Sequence, residues 1–120
     1  MGTDGILDNE AIEALRALGE DDNGDFLREI VEVYLTDAPQ RIAEMRRTHT
    51  EGDQENLIRA AHSLKGSSAN VGAIRVKAAA QEIEHAARRG ELAGLGDSID
   101  GVEPLLQEAG GALNELLGQA

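Results

Sequence analysis

The sequence predicts an all-α protein: an up-and-down antiparallel four-helix bundle with an additional short N-terminal helix. Three observations carry this reading. Apolar residues recur at three- and four-residue intervals through most of the chain. The 41% hydrophobic content comes mainly from Ala, Leu, Ile and Val, with one Phe, one Tyr and no Trp, a mixture that suits helices better than sheets. Stop and start residues lie close together, as short connections between antiparallel neighbours require. With no linker, repeat or low-complexity tail, residues 1–120 read as one domain, large enough to bury a core, with 1–6 as a flexible leader.

The first helix is expected from Leu7 to Leu18, with Asp8 as N-cap, Gly19 as stop and a hydrophobic staple between Leu7 and Ile12. Ile12, Leu15 and Leu18 form its apolar stripe, and Glu20 to Gly24 reads as an acidic loop. A longer helix follows from Asp25 to Thr50, with Phe26 or Leu27, Ile30, Tyr34, Ala38, Ile42 and Met45 at helical spacing. Pro39 lies inside it and is expected to kink it or end its first half, because proline cannot donate to the ladder. Gly52 and Asp53 then read as a stop followed by a new N-cap.

The third helix is expected from Asp53 to Asn70 and the fourth from Ala73 to Arg89, closed by Gly90. The last runs from Leu95 to Leu117 with a seam of Leu95, Ile99, Val102, Leu106, Ala109, Leu113 and Leu116, weakened by Pro104 and Gly110-Gly111.

Composition narrows the function. A formal charge of −12 argues against nucleic acid, whose phosphates demand a basic face, and against anionic lipid. No apolar run approaches a membrane span, and the N-terminus lacks a signal-peptide pattern, so a cytoplasmic protein is expected. With no cysteine, neither disulfides nor thiol chemistry contributes.

The most informative stretch is Ala61-His62-Ser63-Leu64-Lys65-Gly66-Ser67-Ser68, followed by Asn70-Val71-Gly72-Ala73. Positions i, i+3 and i+4 share a helix face, so His62, Lys65 and Gly66 form one patch. On a helical wheel Leu57, Ala61, Leu64, Ser68 and Val71 cluster as the core side, leaving His62 at the surface beside Ile58, Lys65, Gly66 and Ala69. An ordinary exposed histidine is the bland reading of His62. Against it, Gly66 costs roughly 1 kcal/mol relative to alanine in a helix interior, and nothing local explains a stop there. Ile58 also places an apolar side chain where a face meeting only water would be polar. These features describe a docking surface around a nucleophile. An imidazole, with an ordinary pKa of about 6.5, is a competent nucleophile at cellular pH. A lysine one turn on can pair with the charge that a phosphoryl group adds, and phosphoryl transfer is mostly positioning and electrostatics.

The run from Ala61 to Ala73 resembles the signature of histidine-containing phosphotransfer (HPt) domains. Tyr34-Leu35 with Pro39 is similar to that family's second helix, Gly52-Asp53 to its turn into the histidine helix, and Glu82-Ile83-Glu84 with Ala86-Ala87-Arg88 to its fourth. The resemblance implies a helical bundle that shuttles a phosphoryl group between aspartates of response-regulator receiver domains, those of a hybrid histidine kinase among them. His62 would be the phosphorylated residue, Lys65 its electrostatic partner and Gly66 the clearance residue, with Ile58 and Ala69 completing the docking face. The family often has glutamine where this chain has Glu84. Glu84 would be a neighbour on the adjoining helix and, with Gln81, part of the docking face; since a carboxylate there would repel a phosphoryl group, Gln81, one turn earlier, could supply a hydrogen bond instead.

The resemblance further implies a phosphocarrier rather than an enzyme, with Mg2+ and the activated aspartate brought by the receiver. Gly94-Leu95-Gly96 is a lone GxG that reads as a turn and makes no ATP-binding loop. No metal site is expected: Glu82-Ile83-Glu84-His85 holds one Glu-x-x-His without the second copy that a di-iron bundle needs. His85 reads as a solvated helix residue, and His49 as a residue near a helix end with no assigned function. Two alternatives remain: a non-catalytic interaction module binding a signalling regulator, and an excised phosphotransfer domain of a chemotaxis-type kinase. A clean start and no trailing linker favour a stand-alone protein, and a monomer is expected.

Overall fold

Helix boundaries in this chain are set by capping groups and left-handed glycines, and most fall where those residues stand. The computed structural model describes residues 5–19 and 24–118. Asp8 caps α1 (Asn9–Leu18), its carboxylate accepting from the Glu10 amide at 3.0 Å. The long α2 (Asp25–Glu51) ends at Gly52, whose φ of +70° turns the chain out of the helix. Asp53 then caps α3 (Gln54–Asn70), accepting from the Asn56 amide and side chain. A short turn through Gly72 leads to α4 (Ile74–Arg88). No strand forms among the described residues; an isolated bridge joins Leu7 to Ala73.

Three boundary expectations change. Pro39 does not end α2, which continues through it. Its ring lies on the exposed face, where water can satisfy the carbonyl it deprives of a donor, and the neighbouring Gln40 side chain donates to the Thr36 carbonyl at 3.3 Å. The expected last helix is two, α5 (Leu95–Asp100) and α6 (Val102–Leu117), divided at Gly101. Pro104 falls in the first turn of α6, where its missing donor costs nothing. Gly5 and Ile6 of the expected leader are tied to the fold, because Arg75 donates to the Gly5 carbonyl and the Ile74 amide to the Ile6 carbonyl. Residues 1–4 of that leader, and Glu20 to Asn23 of the expected acidic loop, lie outside the described residues.

Helix α3 packs on α2 and α4, and α6 on the same two from the other side, while α5 touches α2, α4 and α6 and α1 rests on α2. The core between them holds Val31, Tyr34, Ala38, Ile42 and Met45 of α2, Leu57, Ala61 and Leu64 of α3, Val76, Ala80 and Ile83 of α4, and Leu106, Ala109 and Leu113 of α6. Each fully buried Leu or Ile here stabilises by about 1.5–3 kcal/mol. Val31 takes the buried place expected of Ile30, which is half-buried. In α1 only Ile12 is buried, and Leu18 is 75% exposed. That helix is anchored at its start, where the Asp8 amide donates to the Gly72 carbonyl at 2.7 Å.

Candidate functional site

The buried side of α3 (Leu57, Ala60, Ala61, Leu64 and Ser68) turns the opposite side outward. Ser68 is fixed by a 2.8 Å hydrogen bond with the Tyr34 hydroxyl of α2, whose pKa burial pushes up to about 12 against the opposing pull of that bond. This arrangement locks the rotation of α3. His62 is left with 62% of its side chain exposed, Ile58 and Lys65 half-buried beside it, and Gly66 and Ala69 open to solvent. A Cβ built on Gly66 would meet no atom within 4 Å. Packing among the described residues therefore does not require glycine there.

Gly72, by contrast, is needed by the fold. Its φ is +71°, and a Cβ would come within 2.8 Å of the Asp8 carbonyl oxygen. The second glycine of the motif thus holds the N-terminal segment against the α3–α4 turn.

From α4, Glu84 points into the His62 patch. Its side chain is only 3% exposed and carries three cationic or ionisable partners. Oε2 lies 3.0 Å from His62 Nδ1 and 2.8 Å from an Arg88 guanidinium nitrogen one turn on. Oε1 sits 2.7 Å from Lys65 Nζ, an ion-pair contact without the alignment of a directed hydrogen bond. Burial by itself would raise the Glu84 pKa. The contacts from Lys65, Arg88 and His62 outweigh it and hold the carboxyl at about 2. An ionised carboxylate only accepts, so His62 Nδ1 carries the proton of this bond. In the neutral ring Nε2, on the far side, is then the unprotonated nitrogen.

The structure therefore unites His62, Lys65, Ile58, Gly66 and Ala69 on one face, as their spacing predicts. It differs over α4: Glu84 reaches His62, whereas Gln81 is exposed and no hydrogen bond joins it to His62 among the described residues. A carboxylate is accommodated because two cations flank it. Arg88 completes this cluster, and its i, i+4 spacing from Glu84 is the sequence signal for it. His85 is exposed, as expected, and His49 is half-buried with its Nε2 2.8 Å from the Leu92 carbonyl, tying α2 to the segment before α5. Gly94 makes a left-handed turn ahead of α5. Among the described residues no group of three or more His, Asp or Glu side chains is placed to hold a metal ion, and no helix is long and apolar enough to cross a membrane.

Comparison with known proteins gives a consistent picture. A family model described as Hpt domain matches residues 29–119. The chain is 38% identical over 76 residues to histidine-containing phosphotransfer protein 2 of Arabidopsis thaliana, covering 61% of this chain and 48% of that protein. It is 32% identical over 80 residues to the sensory/regulatory protein RpfC of Xanthomonas campestris pv. campestris, covering 67% of this chain and 11% of that one. The chain spans less than half the length of the curated relatives it matches. Among solved structures, histidine-containing phosphotransfer protein B of Pseudomonas aeruginosa PAO1 superposes with a TM-score of 0.85 at 25% identity, over 96% of both chains.

Proposed function

Because the chain belongs to the Hpt domain family, whose role is histidine phosphotransfer in phosphorelays, we propose that His62 is its phosphorylated residue. In this reading it accepts a phosphoryl group from a receiver-domain aspartyl phosphate and passes it to another receiver. The contact between Glu84 Oε2 and His62 Nδ1 carries the assignment, because it leaves Nε2 free on an exposed ring.

The step balances simply. The Nε2 lone pair attacks phosphorus, a P–N bond forms, and the acyl-phosphate P–O bond breaks with its electron pair leaving on the aspartate carboxylate. The ring, still protonated at Nδ1, becomes a phosphorylated imidazolium whose positive charge faces the Glu84 carboxylate. Lys65, 2.7 Å from Glu84 before transfer, turns toward the added phosphoryl oxygens. Arg88 keeps Glu84 compensated while Lys65 is away. Reversal toward a second aspartate uses the same groups.

Ile58, Gly66 and Ala69 form the seat for the receiver, with Gln81 at its α4 edge. The reading extends to a cytoplasmic monomer folded as an up-and-down four-helix bundle (α2, α3, α4 and α6) with α1 as the additional helix. The receiver supplies the divalent cation and the activated aspartate, and this chain carries the phosphoryl group without phosphorylating itself from ATP.

The test is transfer from a panel of phosphorylated receiver domains, read by intact mass, with His62→Gln alongside. Acid-labile modification of the native chain and none of a folded variant is the expected result. Equal modification of the variant would move the site elsewhere.

A further inference from the structure

The chain contains eleven Lys and Arg residues, and all but one sit in ion pairs within the fold. Glu84 takes Lys65 and Arg88, Glu108 takes Arg75, and the remaining arginines pair with carboxylates nearby or across to α5 and α6. The exception among the described residues is Lys77, which is exposed. In a protein of formal charge −12, a single uncompensated ammonium is the feature to explain.

Its position is informative. Lys77, Gln81 and Glu84 stand at i, i+4 and i+7 and share one face of α4. Glu84 faces His62 on the neighbouring α3, and Lys77 shares a shallow depression with Ala69, so the two helices run antiparallel along a single surface. Seven residues at the helical rise place Lys77 about 10 Å from the His62–Glu84 contact. Between the two levels Gly66 of α3 and Gln81 of α4 are exposed, and beyond Lys77 Ile74 adds a 39% exposed apolar rim. Asp8 lines the same depression and caps α1 through the Glu10 amide, and no ion pair joins it to Lys77 among the described residues.

We infer that Lys77 is a partner-selecting contact: the receiver domain seated over His62 presents a carboxylate to it, about 10 Å from the reacting phosphorus. The inference rests on the phosphotransfer reading of His62. Since Lys77 has no ion pair among the described residues, its exposed charge is available to a partner. A carboxylate opposite it would gain a salt-dependent contact, while a receiver with a lysine or arginine there would be repelled.

The receiver that charges the wild-type chain fastest is the probe. Its Kd is measured against wild type, Lys77→Ala and Lys77→Glu at about 50 and 300 mM salt, with thermal melts as a fold control. The expected result is a Kd about threefold higher for Lys77→Ala and about tenfold higher for Lys77→Glu at low salt, both differences shrinking at high salt. Melting temperatures should coincide. Equal Kd values for all three chains, with transfer to wild type intact, would overturn the role of Lys77 and leave the His62 assignment standing. Absence of transfer from every receiver would overturn that assignment and this inference together.

Discussion

Glu84 on α4 accepts a hydrogen bond from Nδ1 of His62 on α3 at 3.0 Å, across 22 residues of sequence. A buried acid therefore sets the proton position of an exposed base. Since the same acid also holds Lys65 and Arg88, in the proposed transfer it would compete with the phosphoryl group for those cations.

That competition separates two observables in Glu84→Gln. The amide still fills the site, yet it no longer demands a donor at Nδ1 or retains the two cations. Acceptance by His62 should slow about tenfold, while the phosphohistidine, once formed, should last longer because Lys65 and Arg88 are free to bind it. Stopped transfer reactions and decay of the isolated phosphoprotein measure the two rates. Both rates unchanged would remove Glu84 from the mechanism.

Lys65→Ala should act in the opposite direction on lifetime. The phosphoryl group loses its nearest cation, so phosphohistidine decay should quicken and transfer should slow without ceasing. Glu84 keeps Arg88 and His62, so the fold should lose only about 1–2 kcal/mol. Denaturant titration together with decay measurements checks both halves; a lifetime equal to wild type would contradict the assignment of Lys65.

Stability should depend on acid through Glu84. Its pKa falls from an ordinary 4.5 to about 2 in the folded chain. A lowered folded-state value stabilises the native state fully above about 4.5, and that contribution fades as pH falls from there toward 2. For a carboxyl this buried, it is on the order of 3 kcal/mol. The difference in unfolding free energy between wild type and Glu84→Gln should therefore narrow from pH 7 to pH 3. A difference independent of pH would show that the carboxylate's charge is not what the cluster stabilises.

The two motif glycines should respond oppositely to alanine. Gly66 has open space around a built Cβ, so Gly66→Ala should raise stability by about 0.5–1 kcal/mol, and the bulkier Gly66→Gln should block receiver binding. Gly72 sits at φ +71° with its Cβ position 2.8 Å from a backbone oxygen, so Gly72→Ala should cost more than about 1 kcal/mol. Thermal melts of the alanine variants rank them. Destabilisation by Gly66→Ala would defeat the argument that this glycine serves a partner.

Much of this architecture is legible in the sequence, because a helix's buried face follows from its own periodicity. Leu57, Ala61, Leu64, Ser68 and Val71 are all buried where a wheel of α3 places them, and His62 is exposed as the same wheel requires. Asp8, Asp53, Gly19 and Gly52 mark ends by capping chemistry that acts within a few residues. Leu18 and Pro39 read less well. Whether an apolar residue finds a neighbour, or a proline a tolerant face, depends on what lies across from it. The break at Gly101 leaves no mark in the periodicity for a related reason, since the seam from Leu95 to Leu113 is buried on both sides of it.

By itself, the sequence determined the helices, their inward faces and the grouping of His62, Lys65 and Gly66, all of which follow from contacts within one turn or two. Only the tertiary structure decided the meaning of Glu84. Read along the chain, it is an acid that should repel phosphate. In the fold it is a buried carboxylate between Lys65 and Arg88, bonded to the imidazole it orients. The effect of a charge is set by its distance to other charges and by its exclusion from water, and both are properties of how α3 and α4 meet.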